Sequence, residues 1–107
     1  MPLKVVIAPN GWTVDEDEMS VEEIWGQDGD GTMAARELGL TDLKPQMVKS
    51  RIAGGDVYLF TAAGGRCYFW NMLENTILEC VYPKGLENIL DSMWESDTRN
   101  LEFRAVG

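Results

Sequence analysis

The sequence predicts an α+β fold: one antiparallel sheet of about four to five strands, with helices mainly on one face of the sheet. Apolar runs of strand length, separated by glycine-rich turns, fill the second half of the chain. An apolar repeat at helical spacing follows these runs. The 107 residues are enough for one core, so we expect a single domain over residues 1–107.

Turn residues bound each predicted strand. The first strand is apolar and β-branched and ends at a Pro-Asn-Gly turn. The second and third flank Gly64-Gly65, a pair typical of a two-residue hairpin turn. A turn near Glu74 leads to the fourth strand, and the last alternates apolar and polar residues. The five predicted strands are 3–8, 57–62, 66–71, 76–82 and 100–106.

Capping residues and apolar periodicity predict four helices. Ser20 and Glu23 form a capping-box pattern at the start of the first helix. Gly39 ends the second, and Pro45 suits the first turn of the third. From Leu86, apolar residues recur at the spacing of an amphipathic helix. The predicted ranges are 20–25, 33–38, 45–53 and 86–95.

Both faces of the predicted sheet are apolar. With a two-residue turn between the second and third strands, Tyr68 and Trp70 share a face with Leu59, and Phe60 lies on the other. A sheet covered by helices on one side is expected to be polar on its second face. Tyrosine and tryptophan are enriched at interfaces. Tyr68 and Trp70 therefore indicate either a homodimer contact or a surface covered by other parts of the same chain.

Negative charge is concentrated in the first third of the chain. The net charge is −9, and between Asp15 and Glu37 nine acidic residues accompany one basic residue, Arg36. From residue 41 onward there are nine acidic and seven basic residues. Such a field repels nucleic-acid phosphates and accelerates association with a basic protein. We therefore expect a basic protein partner and no direct binding to nucleic acid.

The acidic segment predicts a protein-binding module. An immunity or antitoxin-type inhibitor and a nucleic-acid-mimicking inhibitor both need dense carboxylates that steer association with a basic protein. An acidic surface that only keeps the protein soluble is the simpler interpretation. The predicted partner-binding residues are Asp15, Glu16, Asp17, Glu18, Glu22, Glu23, Asp28 and Asp30.

Few residues suit catalysis or metal binding. The chain has no histidine, the most frequent general base and metal ligand, so we expect no enzyme, no cofactor and no metal. Asp28 and Asp30 resemble the start of a calcium loop, but Met33 and Gly39 occupy the positions that require glycine and glutamate. The alternative function is a small-ligand binder or small enzyme. Its pocket between helices and sheet would use a carboxylate or one of three tyrosines, Tyr58, Tyr68 and Tyr82.

The two cysteines lie opposite each other if the second hairpin turns at Leu73-Glu74. Cys67 then faces Cys80, at a separation close to that of a disulfide. Two reduced core thiols are the alternative, and we favour them because the chain shows no secretory signal. No stretch approaches the length of a membrane helix, so we expect a cytoplasmic protein without membrane contact.

Residues 55–95 follow an order that resembles a known family. A Gly-Asp pair, an apolar strand, a Gly-Arg turn, the strand Cys-Tyr-Phe-Trp, another strand and a Leu-Ile-Leu-Met-Trp helix succeed one another. This order is similar to the C-terminal part of SUKH-type immunity proteins. The likeness covers less than half of the chain and consists mostly of hydrophobic pattern, while the N-terminal part is shorter than in that family. The resemblance implies an immunity function.

Overall fold

The computed structural model describes residues 11–15, 19, 21–49, 56–96 and 99–106. Six antiparallel strands form one sheet, in which their order is their order along the chain. The strands are β1 (Trp12–Thr13), β2 (Lys44–Lys49), β3 (Val57–Thr61), β4 (Cys67–Asn71), β5 (Thr76–Tyr82) and β6 (Glu102–Ala105). The helices are α1 (Val21–Ile24), α2 (Asp30–Glu37) and α3 (Leu86–Ser96). The predicted α+β class is confirmed, with slightly more strands than expected.

Most of the predicted elements are present. The strands predicted over 57–62, 66–71, 76–82 and 100–106 correspond to β3, β4, β5 and β6. The helices predicted over 20–25, 33–38 and 86–95 correspond to α1, α2 and α3. The strand predicted over 3–8 lies outside the described residues.

The helix predicted over 45–53 is wrong for the described part of that range. Residues Lys44–Lys49 form β2, whereas residues 50–53 lie outside the described part. Met47 and Val48 are both buried, but they belong to the cores on opposite faces of the sheet. Two adjacent apolar residues that are buried on opposite faces of a strand do not show the apolar–polar alternation of a half-buried strand. From the sequence alone, such a pair cannot be distinguished from part of one helical turn. Pro45 lies at an irregularity in the pairing of β2 with β3, where its missing N–H is tolerated.

Helix α2 starts at Asp30, three residues before the predicted start. Gly29 precedes its first turn, and Gly31 is buried inside it. A Cβ atom on Gly31 would lie 3.0 Å from ring carbons of Trp25. The glycine therefore permits close packing between α2 and the segment that follows α1. The alternating glycines and aspartates around it in the sequence suggest a flexible loop, but Gly31 lies inside a helix.

The register between β3 and β4 differs from the prediction by one residue. Leu59 pairs with Phe69, and Phe60 pairs with Tyr68. The turn has three residues instead of two, and the N–H of Ala62 donates to the Arg66 carbonyl at 3.0 Å. A shift of one residue moves every side chain of a strand to the other face. Phe60 therefore shares its face with Tyr68 and Trp70, and Leu59 lies on the opposite face.

Helices cover both faces of the sheet, so the prediction that they lie mainly on one face is wrong. Side chains of α3, including Ile89 and Met93, pack on the face of Leu59 and Phe69. Side chains of α1, α2 and their connections pack on the other face, over Trp70. Each face is apolar because each forms a separate core.

Trp25 is half-buried and packs against the core under α1 and α2. Its ring lies 4.9 Å from that of Phe60 and 5.7 Å from those of Tyr58 and Trp70, measured between centroids. Its indole N–H is buried and has no hydrogen-bond partner among the described residues. An unsatisfied buried donor costs about 1–3 kcal/mol. The aromatic packing must exceed that cost for the ring to remain inside.

The helices are short. The longest, α3, has 11 residues. In the described part of the chain, no helix has both the length and the apolar character that crossing a membrane requires.

Replacement of Trp25 tests the attachment of the two N-terminal helices. We expect Trp25→Ala to lower the free energy of unfolding by about 3 kcal/mol, because large-to-small changes at packed aromatic residues leave a cavity. Trp94→Ala is the matched control, since Trp94 is 52% exposed on α3; its loss is expected to cost about 1 kcal/mol or less. Chemical denaturation followed by circular dichroism measures both. Equal losses in the two variants would contradict the anchoring role.

Candidate functional site

The carboxylates of α1, α2 and the segment that joins them form an exposed acidic surface. Of the residues predicted to bind a partner, Asp15, Glu22, Glu23, Asp28 and Asp30 are all exposed. Glu16, Asp17 and Glu18 lie outside the described residues. Glu37 at the end of α2 is also exposed and was not among the predicted residues. We call Glu22, Glu23, Asp28, Asp30 and Glu37 the acidic layer.

The packing of the two helices explains why these carboxylates face solvent. Ile24 and Trp25 pack against the sheet from the α1 side, and Ala35 and Leu38 do so from α2. A helix that buries one stripe of apolar residues leaves its charged residues on the opposite side. The same packing that holds the helices on the sheet therefore orients the acidic layer outward.

The acidic layer is not neutralised internally. Within the described ranges, no ion pair joins any of its five carboxylates to a basic side chain. The sequence has one basic residue between positions 21 and 40, and this residue, Arg36, is exposed on α2. The layer therefore keeps a net negative charge.

Helix α3 carries a second group of exposed acids on the other face of the sheet. Glu87, Asp91 and Glu95 are exposed, and residues 86–96 contain no basic residue. Negative charge is thus not confined to one side of the protein. The acidic layer has five exposed carboxylates against three on α3, and Asp30 and Glu37 of the layer line a groove.

This groove, of about 290 Å³, lies between α2 and the turn that joins β4 to β5. Asp30 and Glu37 line it together with Met33 and Met72. Residues separated by three, four and seven positions lie on one side of a helix, which places Asp30, Met33 and Glu37 together. The groove therefore combines two carboxylates with flexible apolar walls.

The predicted interface aromatics are not exposed. Tyr68 and Trp70 are only 3% and 2% exposed. Trp25 packs on Trp70, and the Trp70 indole N–H donates to Oδ1 of Asn75 at 3.1 Å. The prediction that these two side chains form an exposed homodimer surface is therefore wrong. The alternative is observed, because other parts of the same chain cover them. The cause is that the sheet has helices on both faces.

Tyr58, Tyr68 and Tyr82 lie apart from the cavities that the described residues form in this section. Tyr58 and Tyr68 are buried in the core under α1 and α2, and burial raises the pKa of Tyr58 to about 12. Tyr82 is 61% exposed. The cavities described in this section are lined by other residues.

A cleft of about 520 Å³ lies at the end of the sheet where β4 begins and β5 ends. The buried Cys67, Cys80 and Ile89 line it together with two exposed basic residues, Arg66 and Lys84. A third basic residue of the cleft, Arg104, forms an ion pair with Glu79. Sequence reasoning missed this site. The signal was available, because the Gly-Arg and Pro-Lys-Gly segments flank ends of adjacent antiparallel strands.

Both cysteines of the cleft are free thiols. Burial, and next the nearby Cys80, raises the pKa of Cys67 to about 11. Burial also raises the pKa of Cys80, although a backbone hydrogen bond with Tyr82 acts in the opposite direction. Both thiols are therefore neutral at neutral pH.

The described residues contain no group of three or more acidic, cysteine or histidine side chains placed to hold a metal ion. The segment that resembles a calcium loop is helical from Asp30 onward. Its backbone therefore cannot wrap around a cation in the way that such loops do.

Comparisons with known proteins found no match among family models, curated proteins or solved structures. The similarity of residues 55–95 to SUKH-type immunity proteins thus remains an expectation from hydrophobic pattern.

The raised thiol pKa values predict slow alkylation of the native protein. The pKa of Cys67 is raised from 9.0 to about 11, which lowers its thiolate fraction at pH 8 about 100-fold; higher nucleophilicity restores about tenfold, leaving a net loss of about tenfold before steric protection. We expect iodoacetamide at pH 8 to modify Cys67 at least about tenfold faster in denaturant than in the native state, and to modify Cys80 faster in denaturant as well. The native rate should continue to rise up to about pH 11. Mass spectrometry measures both rates. A chain that takes up no label after unfolding without reductant would contradict free thiols.

Proposed function

We propose that the chain is a small acidic protein-binding module that docks onto a basic partner protein through the acidic layer. The observation that carries the proposal is the exposure of five carboxylates beside a single basic residue, Arg36, without internal ion pairs in the described ranges. Charge of one sign on a compact surface accelerates association with a surface of the opposite sign.

Rigidity supports this function. Trp25 packs against three aromatic rings of the sheet and is close to Gly31 of α2. The helices that carry the carboxylates are thus fixed on a packed core. Binding then costs less side-chain and backbone ordering than it would for an acidic tail.

The groove beside α2 suits a lysine or arginine side chain of the partner. The aliphatic part of such a side chain packs on Met33 and Met72, and its charged end reaches Asp30 and Glu37. Hydrogen bonds between charged groups are stronger than neutral ones and fix orientation. The groove therefore adds specificity to the general attraction.

Two classes of partner fit this surface. In one, the module is an immunity or antitoxin-type inhibitor that covers the basic site of a toxin. In the other, it mimics nucleic acid and blocks an enzyme that acts on it. Short duplex DNA or RNA is expected to compete in both cases, so the recovered partner itself separates the two: expressed without the module, a toxin arrests the growth of its host, whereas the target of a mimic does not.

Charge-neutral substitutions test the acidic layer. The test variant carries Glu22→Gln, Glu23→Gln and Asp30→Asn. The control carries Glu87→Gln, Asp91→Asn and Glu95→Gln, which removes the same charge from α3. We expect wild type and control to capture the same basic protein at low salt, and the test variant to bind it at least about tenfold more weakly. Affinity capture, followed by calorimetry with the recovered protein, measures this.

Two results would contradict the proposal. One is the absence of any basic protein that binds wild type at low salt and is released at high salt. The other is equal affinity of all three proteins for the recovered partner, which would place the contact outside the acidic layer.

A further inference from the structure

The cleft at the end of the sheet has a charge opposite to that of the rest of the protein. Three of the nine basic residues of the chain line it: Arg66, Lys84 and Arg104. Glu79 is its one acidic residue, and it is paired with Arg104. Because the two thiols are neutral, they add no negative charge at neutral pH. A positive site therefore remains in a chain whose net charge is −9.

The interior of the cleft is apolar, and its volume suits a small molecule. The buried side chains of Cys67, Cys80 and Ile89 line it, whereas the arginines and the lysine are exposed. About 520 Å³ lies within the range of about 300–1,000 Å³ that is typical of small-molecule sites. The cleft therefore offers an apolar interior below a basic rim.

The backbone around the cleft leaves it open and adds to its positive potential. Gly64 and Gly65 both have positive φ, and a Cβ atom on either would meet no other atom within 4 Å. Lys84 and Gly85 directly precede the 11-residue helix α3. The start of a helix carries a partial positive charge, which acts in the same direction as the three basic side chains.

We propose that this cleft binds a small organic anion, with a phosphate or carboxylate group attached to an apolar body. Arg66, Lys84 and Arg104 hold the anionic group, and guanidinium groups suit phosphate and carboxylate geometry. Cys67, Cys80 and Ile89 contact the apolar body. The site lies at the end of the sheet, where Cys67, Cys80 and Ile89 face the α3 side and Glu79 and Arg104 face the other side. No residue of the acidic layer lines it.

The ligand must be small because of the surrounding charge. The acids of α3 and of the acidic layer repel an extended polyanion such as nucleic acid. At physiological salt, exposed charges are screened beyond about 8 Å. A small anion inside the cleft therefore experiences mainly the three basic residues.

Phenyl phosphate is a suitable probe because it joins a phosphate group to an apolar ring. Phenol carries the ring without the phosphate, and inorganic phosphate carries the anionic group without the ring. The test variant is Arg66→Gln with Lys84→Gln, which leaves the Arg104–Glu79 pair in place. The control, Lys44→Gln with Arg99→Gln, removes the same charge at exposed positions outside the cleft. Two-dimensional NMR of the full chain reports binding through the amides of Gly64, Gly65 and Gly85. The rate of Cys67 alkylation gives a second readout.

We expect phenyl phosphate to shift these amides and to slow alkylation of Cys67 in wild type and control. The test variant should bind at least about tenfold more weakly, since charge-assisted contacts are lost. Phenol and inorganic phosphate should each bind more weakly than the combined probe. Absence of shifts at millimolar phenyl phosphate, equal binding by both variants, or equal binding of phenol would overturn the proposal. None of these results bears on the acidic layer.

Discussion

The packing of Trp25 against Tyr58, Phe60 and Trp70 holds α1 and α2 on the sheet. The six-stranded sheet is apolar on both faces, so both faces must be covered. Helix α3 packs on one of them. The other is covered by two short helices, and α1, with four residues, has little stability of its own. Aromatic packing therefore supplies the stability that the short helix α1 lacks.

The distribution of charge follows from this packing. Because Ile24, Trp25 and Ala35 face the sheet, the acidic residues of the same helices face solvent. The basic residues of the cleft come from turns and strands at one end of the sheet. A meander brings these turns together although they are far apart in sequence. One topology thus produces an acidic surface over one face of the sheet and a basic cleft at the end of its strands.

Sequence reasoning succeeded where local signals determine structure. The register of the second hairpin, in which Cys67 faces Cys80, and the range of α3 depend on a short turn and on an apolar repeat, and both were predicted. It failed where the outcome depends on distant contacts. The helix expected over 45–53 is a strand because β2 is inserted between β1 and β3 and is buried on both sides. No local pattern reports this insertion.

The candidate sites show the same division. Exposure of Glu22, Glu23, Asp28 and Asp30 could be predicted, because clustered carboxylates are rarely buried. The positions of Tyr68 and Trp70 could not, since their burial depends on helices that pack across the sheet. The cleft depends on residues from three separate segments, including Arg66 and Lys84. Only the register of the sheet places these segments together.

The most direct measurement is a nuclear Overhauser spectrum of the aromatic side chains in the native chain. We expect cross-peaks from the Trp25 ring protons to those of Phe60 and Trp70, because the ring centroids lie 4.9 and 5.7 Å from that of Trp25. We also expect acrylamide to quench the Trp70 fluorescence poorly. Absence of these cross-peaks, together with a Trp70 ring open to the quencher, would show that α1 and α2 do not cover this face.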